Sequence, residues 1–299
     1  MKMPRVIFSS AMAAVLVSHA PVHAQKALVL EPSSPWAVDY AEERCSLVRV
    51  FGDEKQSFSL RIDAYSPKNQ FRTLMVSNLI PAINTTVIKF ERSFSPDTQE
   101  RDGVEGITGI IGDKRAVSSG IRFEPVDRPF VDDTELGESA APTAVKAYIE
   151  SVAEFEAAVK SITVDFPKRG PIELKTGSMA KPLQSLRTCT DDLVKTWGLD
   201  AARYHAQTRS AGLAPGEIER IKLSYPTFML EDGISAYVPL RVMVDENGDA
   251  TKCVVQVEVG SEKFRQSICN IFMRRYSPAL DSAGKPVASV FQTSIQFQL

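Results

Sequence analysis

The sequence predicts an α+β protein of two domains, on three observations. Apolar and polar residues alternate through about residues 45–122, apolar side chains recur at three- and four-residue steps within 144–197, and a strand, strand, helix, strand order runs from residue 234 to the end. A chain of 299 residues also exceeds what one hydrophobic core usually organises.

At the N-terminus, Lys2 and Arg5 precede a 12-residue apolar run, Val6 to Val17, and small residues follow around Val22-His23-Ala24. That is the layout of a cleavable export signal. A membrane span takes roughly 20 apolar residues, so cleavage after Ala24 is favoured over retention of residues 6–24 as an inner-membrane anchor. The mature chain is expected to begin near Gln25, in the periplasm, without stable membrane insertion. Its formal charge moves from −2 to −4, because Lys2 and Arg5 are lost and no acidic residue is. No basic cluster points to a nucleic-acid partner.

The exported part carries all four cysteines, Cys45, Cys189, Cys253 and Cys269, in an oxidising compartment. Of the three connectivities, Cys253–Cys269 closes a short loop inside one predicted domain, which leaves Cys45–Cys189 to tie the other.

Residues 25–200 form the N-terminal domain, β-rich with two helices and of no recognised fold. Phe58, Leu60 and Ile62 alternate with polar neighbours, and Phe71–Ser77, Thr86–Arg92 and Val117–Phe123 also read as strands of an antiparallel sheet. Residues 124–141, with Pro125, Pro129 and an acidic run, read as a loop. A helix is predicted over Ala144–Ile162, with Val145, Ile149, Val152, Phe155, Val159 and Ile162 on one face. A second runs from Lys181 to Trp197, carries Cys189 on its buried side, and stops at Gly198. Residues 201–224, polar and punctuated by Gly and Pro, read as a linker.

The C-terminal domain, 225–299, opens with a strand in which Ala236, Val238, Leu240, Val242 and Val244 alternate with outward residues; Pro239 within it argues for a bulge or an edge. Asn247-Gly248 supplies a tight turn into a strand over Thr251–Val259. A helix over Glu262–Arg275 offers Phe264, Ile268, Ile271 and Phe272, with Pro278 expected to end the helical segment. A last strand puts Val287, Phe291, Ile295 and Phe297 on one face. The result is a β-β-α-β sheet covered by one helix.

This stretch resembles the TonB C-terminal family. The resemblance rests on Tyr225-Pro226, Gly233, Val242-x-Val244-Asp245-x-x-Gly248, Met273-Arg274-Arg275-Tyr276-Ser277-Pro278 and Gly284-Lys285-Pro286-Val287, in that order over a quarter of the chain. Members are energy transducers whose last strand receives an extended peptide of an outer-membrane receptor. The resemblance thus implies an envelope protein or extended segment as partner, paired to an edge strand at Val290, Gln292, Ser294, Gln296 and Gln298. Polar side chains facing water explain the same pattern without a partner. The chain departs from a transducer in having a cleavage site and a folded domain where a retained membrane helix and a Pro-rich reach are needed.

Catalytic patterns are scarce, and no cofactor is expected. The mature chain has one histidine, His205, which leaves no His-rich zinc cluster and no Ser-His-Asp pattern. Asp245, Asn247 and Asp249 lack the spaced Glu of a calcium loop. Asp191-Asp192 are neighbours on a helix and cannot face each other. Three functions remain: a binding or coupling protein; a structural or stress-related secreted protein with no transport role; and a hydrolase built on scattered carboxylates within 25–200.

Overall fold

The computed structural model describes residues 26–82, 87–93, 104–121, 123, 142–167, 169–224, 236–257 and 262–297. The proposed signal peptide, the loop at 124–141, Tyr225-Pro226, Gly233 and Gln298 lie outside them.

The alternating runs of the first half become β1 (Leu28–Leu30), β2 (Ala37–Ala41), β3 (Arg44–Phe51), β4 (Phe58–Ala64), β5 (Phe71–Ser77), β6 (Val87–Ser93), β7 (Val104–Ile111) and β8 (Lys114–Ile121). Then follow α1 (Pro142–Ala158), the hairpin of β9 (Ser161–Phe166) and β10 (Gly170–Leu174), and α2 (Ala180–Thr196). The strands form one sheet in the order β1-β10-β9-β6-β7-β8-β5-β4-β3-β2. β1 pairs with β10 in parallel, and the chain just beyond β1 reaches the end of β3, with Ser33 N donating to Val50 O at 2.9 Å and Gly52 N to Glu31 O at 2.8 Å. The sheet therefore curls until its two ends are bonded through one segment. Leu47, Phe51, Phe58, Leu60, Ile62, Val164 and Ile172 fill its interior.

The predicted helix over 144–162 is shorter than expected. It stops at Ala158, and Ile162 lies in β9. Ile162 fits a helical step from Val159, but Ile162-Thr163-Val164 is a β-branched run that pairs with β10 on one side and β6 on the other. Ile149, expected on the apolar face, is exposed, whereas Val152 and Glu156 are buried, the latter in a two-pronged ion pair with Arg187.

α2 lays Leu183, Leu186, Cys189 and Leu193 on the core. It ends at Gly198, at φ +85°, where Gly198 N bonds Lys195 O and Leu199 N bonds Val194 O, so the left-handed residue satisfies the last carbonyls. The cysteines stand as Cys45–Cys189, joining β3 to α2, and Cys253–Cys269.

Residues 201–224 are more than a tether. They carry α3 (Ala201–His205), β11 (Gly212–Leu213) and α4 (Glu217–Leu223). Ala211 is buried in the second core, and β11 pairs with β14 (Tyr276–Ser277).

The C-terminal sheet is built from β12 (Ala236–Val244), β13 (Ala250–Val255) and β17 (Ser289–Phe297), in the order β13-β12-β17, with α5 (Glu262–Phe272) against β13. Between α5 and β17, β15 (Ala279–Leu280) pairs with β16 (Pro286–Val287). Val238, Leu240, Val242, Phe264, Ile268 and Phe272 make the second core.

Two expectations are corrected here. β12 is the central strand, and its one irregularity falls at Met243/Val244, away from Pro239. Proline is tolerated because β13 ends at Val255, just short of the residue opposite Pro239, while Pro239 O still accepts from Gln256 N at 2.9 Å. The helical segment also ends at Phe272, well before Pro278. Tyr276 N bonds Gly248 O at 2.9 Å, and the buried Tyr276 hydroxyl donates to Phe272 O at 2.8 Å, satisfying a terminal helix carbonyl.

Gly248 holds the β12–β13 turn at φ +83°, and a Cβ there would meet Tyr276 O at 2.1 Å. Gly248→Ala is therefore expected to destabilise the domain by about 2–4 kcal/mol, because both the left-handed backbone and the Tyr276 bond are compromised. Thermal melting checks this, and a shift below about 2 °C contradicts it.

Candidate functional site

The last strand presents an edge. β17 is terminal in the three-stranded order, so one side of its backbone pairs with β12 and the other has no neighbour in that sheet. The direction of its main-chain groups follows from alternation. Gln256 N bonds Pro239 O, so Pro239, Arg241 and Met243 turn theirs toward β13. Val238, Leu240, Val242 and Val244 turn theirs toward β17, onto Ile295, Thr293, Phe291 and Ser289. The N–H and C=O groups of Val290, Gln292, Ser294 and Gln296 accordingly point to the free edge.

The side chains of this face do not all meet water. Val290 is 4% exposed, Gln292 is half-buried with Nε2 donating to Tyr65 O at 2.7 Å, and Ser294 is exposed. Gln296 is placed by its backbone, opposite Tyr237. The face is turned toward the β-rich unit. Arg241, 3% exposed, forks onto Glu43, with Nε to Oε2 at 2.7 Å and Nη2 to Oε1 at 2.6 Å. Its guanidinium also sits 4.9 Å from the centre of the Trp197 ring. Gln256 Nε2 donates to Glu43 O at 3.2 Å and to Tyr65 O at 3.1 Å, and Arg72 lies 4.2 Å over the Tyr237 ring. Burial first, and then the Asp63 carboxylate, push the Tyr65 phenol well above its usual range, so it stays neutral at this junction.

Glu43, Tyr65, Trp197 and Arg241 escape a reading of the sequence. Arg241 occupies an outward position of an alternating strand, indistinguishable from a solvent-facing residue. The available signal is the company it keeps, Tyr237 and Pro239 on the same outward face.

Beside the edge runs a cavity of about 320 Å³ between β17, the turn that follows β4, and the segment Ser210–Gly212. It is lined by Val290 to Ser294 of β17 together with Tyr237, Pro239 and Gln256, so it lies over the sheet face that meets the β-rich unit and extends to β17.

The remaining polar residues have structural occupations. His205 Nε2 is 2.8 Å from Asp191 Oδ1, with both side chains substantially exposed, and Asp192 holds Lys195. Asp245 accepts from Asn247 N at 2.9 Å and Asp249 N at 2.8 Å, which keeps its carboxyl below the usual range, while Asp249 pairs with Arg275. Among the described residues no cluster of metal-ligating side chains occurs, and no helix is long and apolar enough to cross a membrane.

Fold and edge together define a small α+β module that ends in a terminal strand. Residues 221–299 match the family model described as the Gram-negative bacterial TonB protein C-terminal. The C-terminal domain is thus similar to the TonB C-terminal domain, and the match covers about a quarter of the chain. Neither the curated proteins nor the solved structures contain a significant match to the chain.

Proposed function

We propose that this is an exported periplasmic protein whose C-terminal domain captures an extended segment of an envelope partner by adding it as a strand beside β17. The observation that carries the reading is the outward set of main-chain groups at Val290, Gln292, Ser294 and Gln296 on a terminal strand. Export is supported by Lys2, Arg5, the Val6–Val17 run and Val22-His23-Ala24. With the leader removed, the protein binds its partner without drawing on an inner-membrane motor.

The test compares Ser294→Pro with Gln296→Ala in capture from envelope extracts, with melting curves alongside. Proline deletes an edge-facing donor and constrains φ, so capture is expected to fall about tenfold or more, whereas Gln296→Ala leaves every main-chain bond available. Retention of both fold and capture by Ser294→Pro sinks the reading. The junction at Arg241 and Glu43 favours a second one, in which the C-terminal domain serves mainly to brace the β-rich unit. A wild-type protein that captures no partner sides with it.

A further inference from the structure

The groove beside β17 has a wall that comes from the other unit. The turn after β4 contributes Tyr65, Ser66, Lys68 and Gln70, while β17 contributes its whole run from Val290 to Ser294. An occupant of this groove meets residues of both units.

The charge in the groove is one-sided. Lys68 is the one charged side chain among the described residues lining it, and it forms no ion pair with any of them. An extended occupant can supply a carboxylate to Lys68, and that pair, partly shielded, is stronger than one in open water.

We infer that the groove takes an extended peptide segment bearing an acidic side chain, read by Lys68 from the N-terminal unit while β17 holds its backbone. The inference rests on the edge-pairing reading above and deepens it by giving each unit its own role. Main-chain bonds along β17 give affinity, and the turn after β4 selects the sequence. Lys68 is a specificity-determining residue, and the β-rich unit is half of the binding site.

The full-length protein is tested on an array of randomised octapeptides, as wild type, Lys68→Glu and Ser294→Pro, each with a melting curve. For the wild type, peptides holding Asp or Glu are expected to be retained about tenfold more than those holding Lys or Arg, the size of one charge-assisted pair. Lys68→Glu is expected to invert that preference at unchanged melting temperature, and Ser294→Pro to lose both classes. Binding that shows no acidic preference, or one that Lys68→Glu leaves intact, overturns the inference while edge pairing stands. Binding that survives Ser294→Pro, or is absent from the wild type, overturns edge pairing and the inference with it.

Discussion

Replacing Cys45 and Cys189 together by alanine is expected to lower stability by about 5 kcal/mol. The bond spans a sequence separation of 144 residues, and the conformational freedom that such a crosslink removes from the unfolded chain grows with the logarithm of the loop. The same reasoning gives about 3 kcal/mol for Cys253–Cys269, at a separation of 16. Both cysteines of the long loop are buried, at 0% and 1% exposed, so alanine adds only a small cavity to the entropic loss. Position makes the long bond matter further. Cys45 lies two residues after Glu43, and Cys189 lies on the helix that ends beside Trp197, so the disulfide holds together the two sides of the socket that receives Arg241. Urea denaturation under non-oxidising handling of both double variants checks the order. Equal losses, or a smaller loss for Cys45→Ala/Cys189→Ala, would show that strain or residual structure in the unfolded chain, and not loop length, governs these bonds.

What could be read in advance divides along physical lines. The C-terminal order of elements was legible because each boundary has a strong local signal: Asn247-Gly248 for the hairpin, apolar residues at helical spacing over Phe264–Phe272, and alternation through Val290–Phe297. The strands at 58–64 and 71–77 were legible for the same reason, the one expected at Val117–Phe123 begins three residues earlier, at Lys114, and the domain assignment of the cysteines narrowed their pairing to the one observed. The β9–β10 hairpin was not, since Ile162 satisfies both a helical step and a strand, and only its partners in β6 and β10 decide. β1 and β2 are too short to show a period, yet β1 and its extension join the two ends of the sheet. The junction was least legible of all. A sheet face that meets another unit of the same chain shows the alternation of one that meets water, and Gln292 reads the same whether it binds solvent or Tyr65 O.

Arg241→Ala is expected to uncouple the two units, at a cost of about 2–4 kcal/mol. Removing one partner of a buried ion pair is costly because the other stays behind without its counter-charge. Here the Glu43 side chain, 19% exposed, keeps some contact with water, which places the expected loss toward the lower part of the usual range. Trp197 loses the cation over its ring as well. The contact at Gln256 and the Cys45–Cys189 bond persist, so each unit keeps its own core and the damage falls on the junction. Calorimetry is therefore expected to resolve one cooperative transition of the wild type into two, and limited proteolysis to cut first between the units. A double-mutant cycle makes the assignment sharp: Glu43→Ala is expected to cost about 1–2 kcal/mol less in the Arg241→Ala background than in the wild type, since a stranded carboxylate is then removed. Additive losses, with a single transition kept throughout, would mean that the ion pair is incidental and that packing of the sheet face alone holds the units together. In that case the wall opposite β17 would owe its position to Tyr65, Tyr237 and Arg72, where the two tilted rings lie 6.3 Å apart and the guanidinium sits 4.2 Å over Tyr237, and Tyr237→Ala would become the substitution that opens the groove.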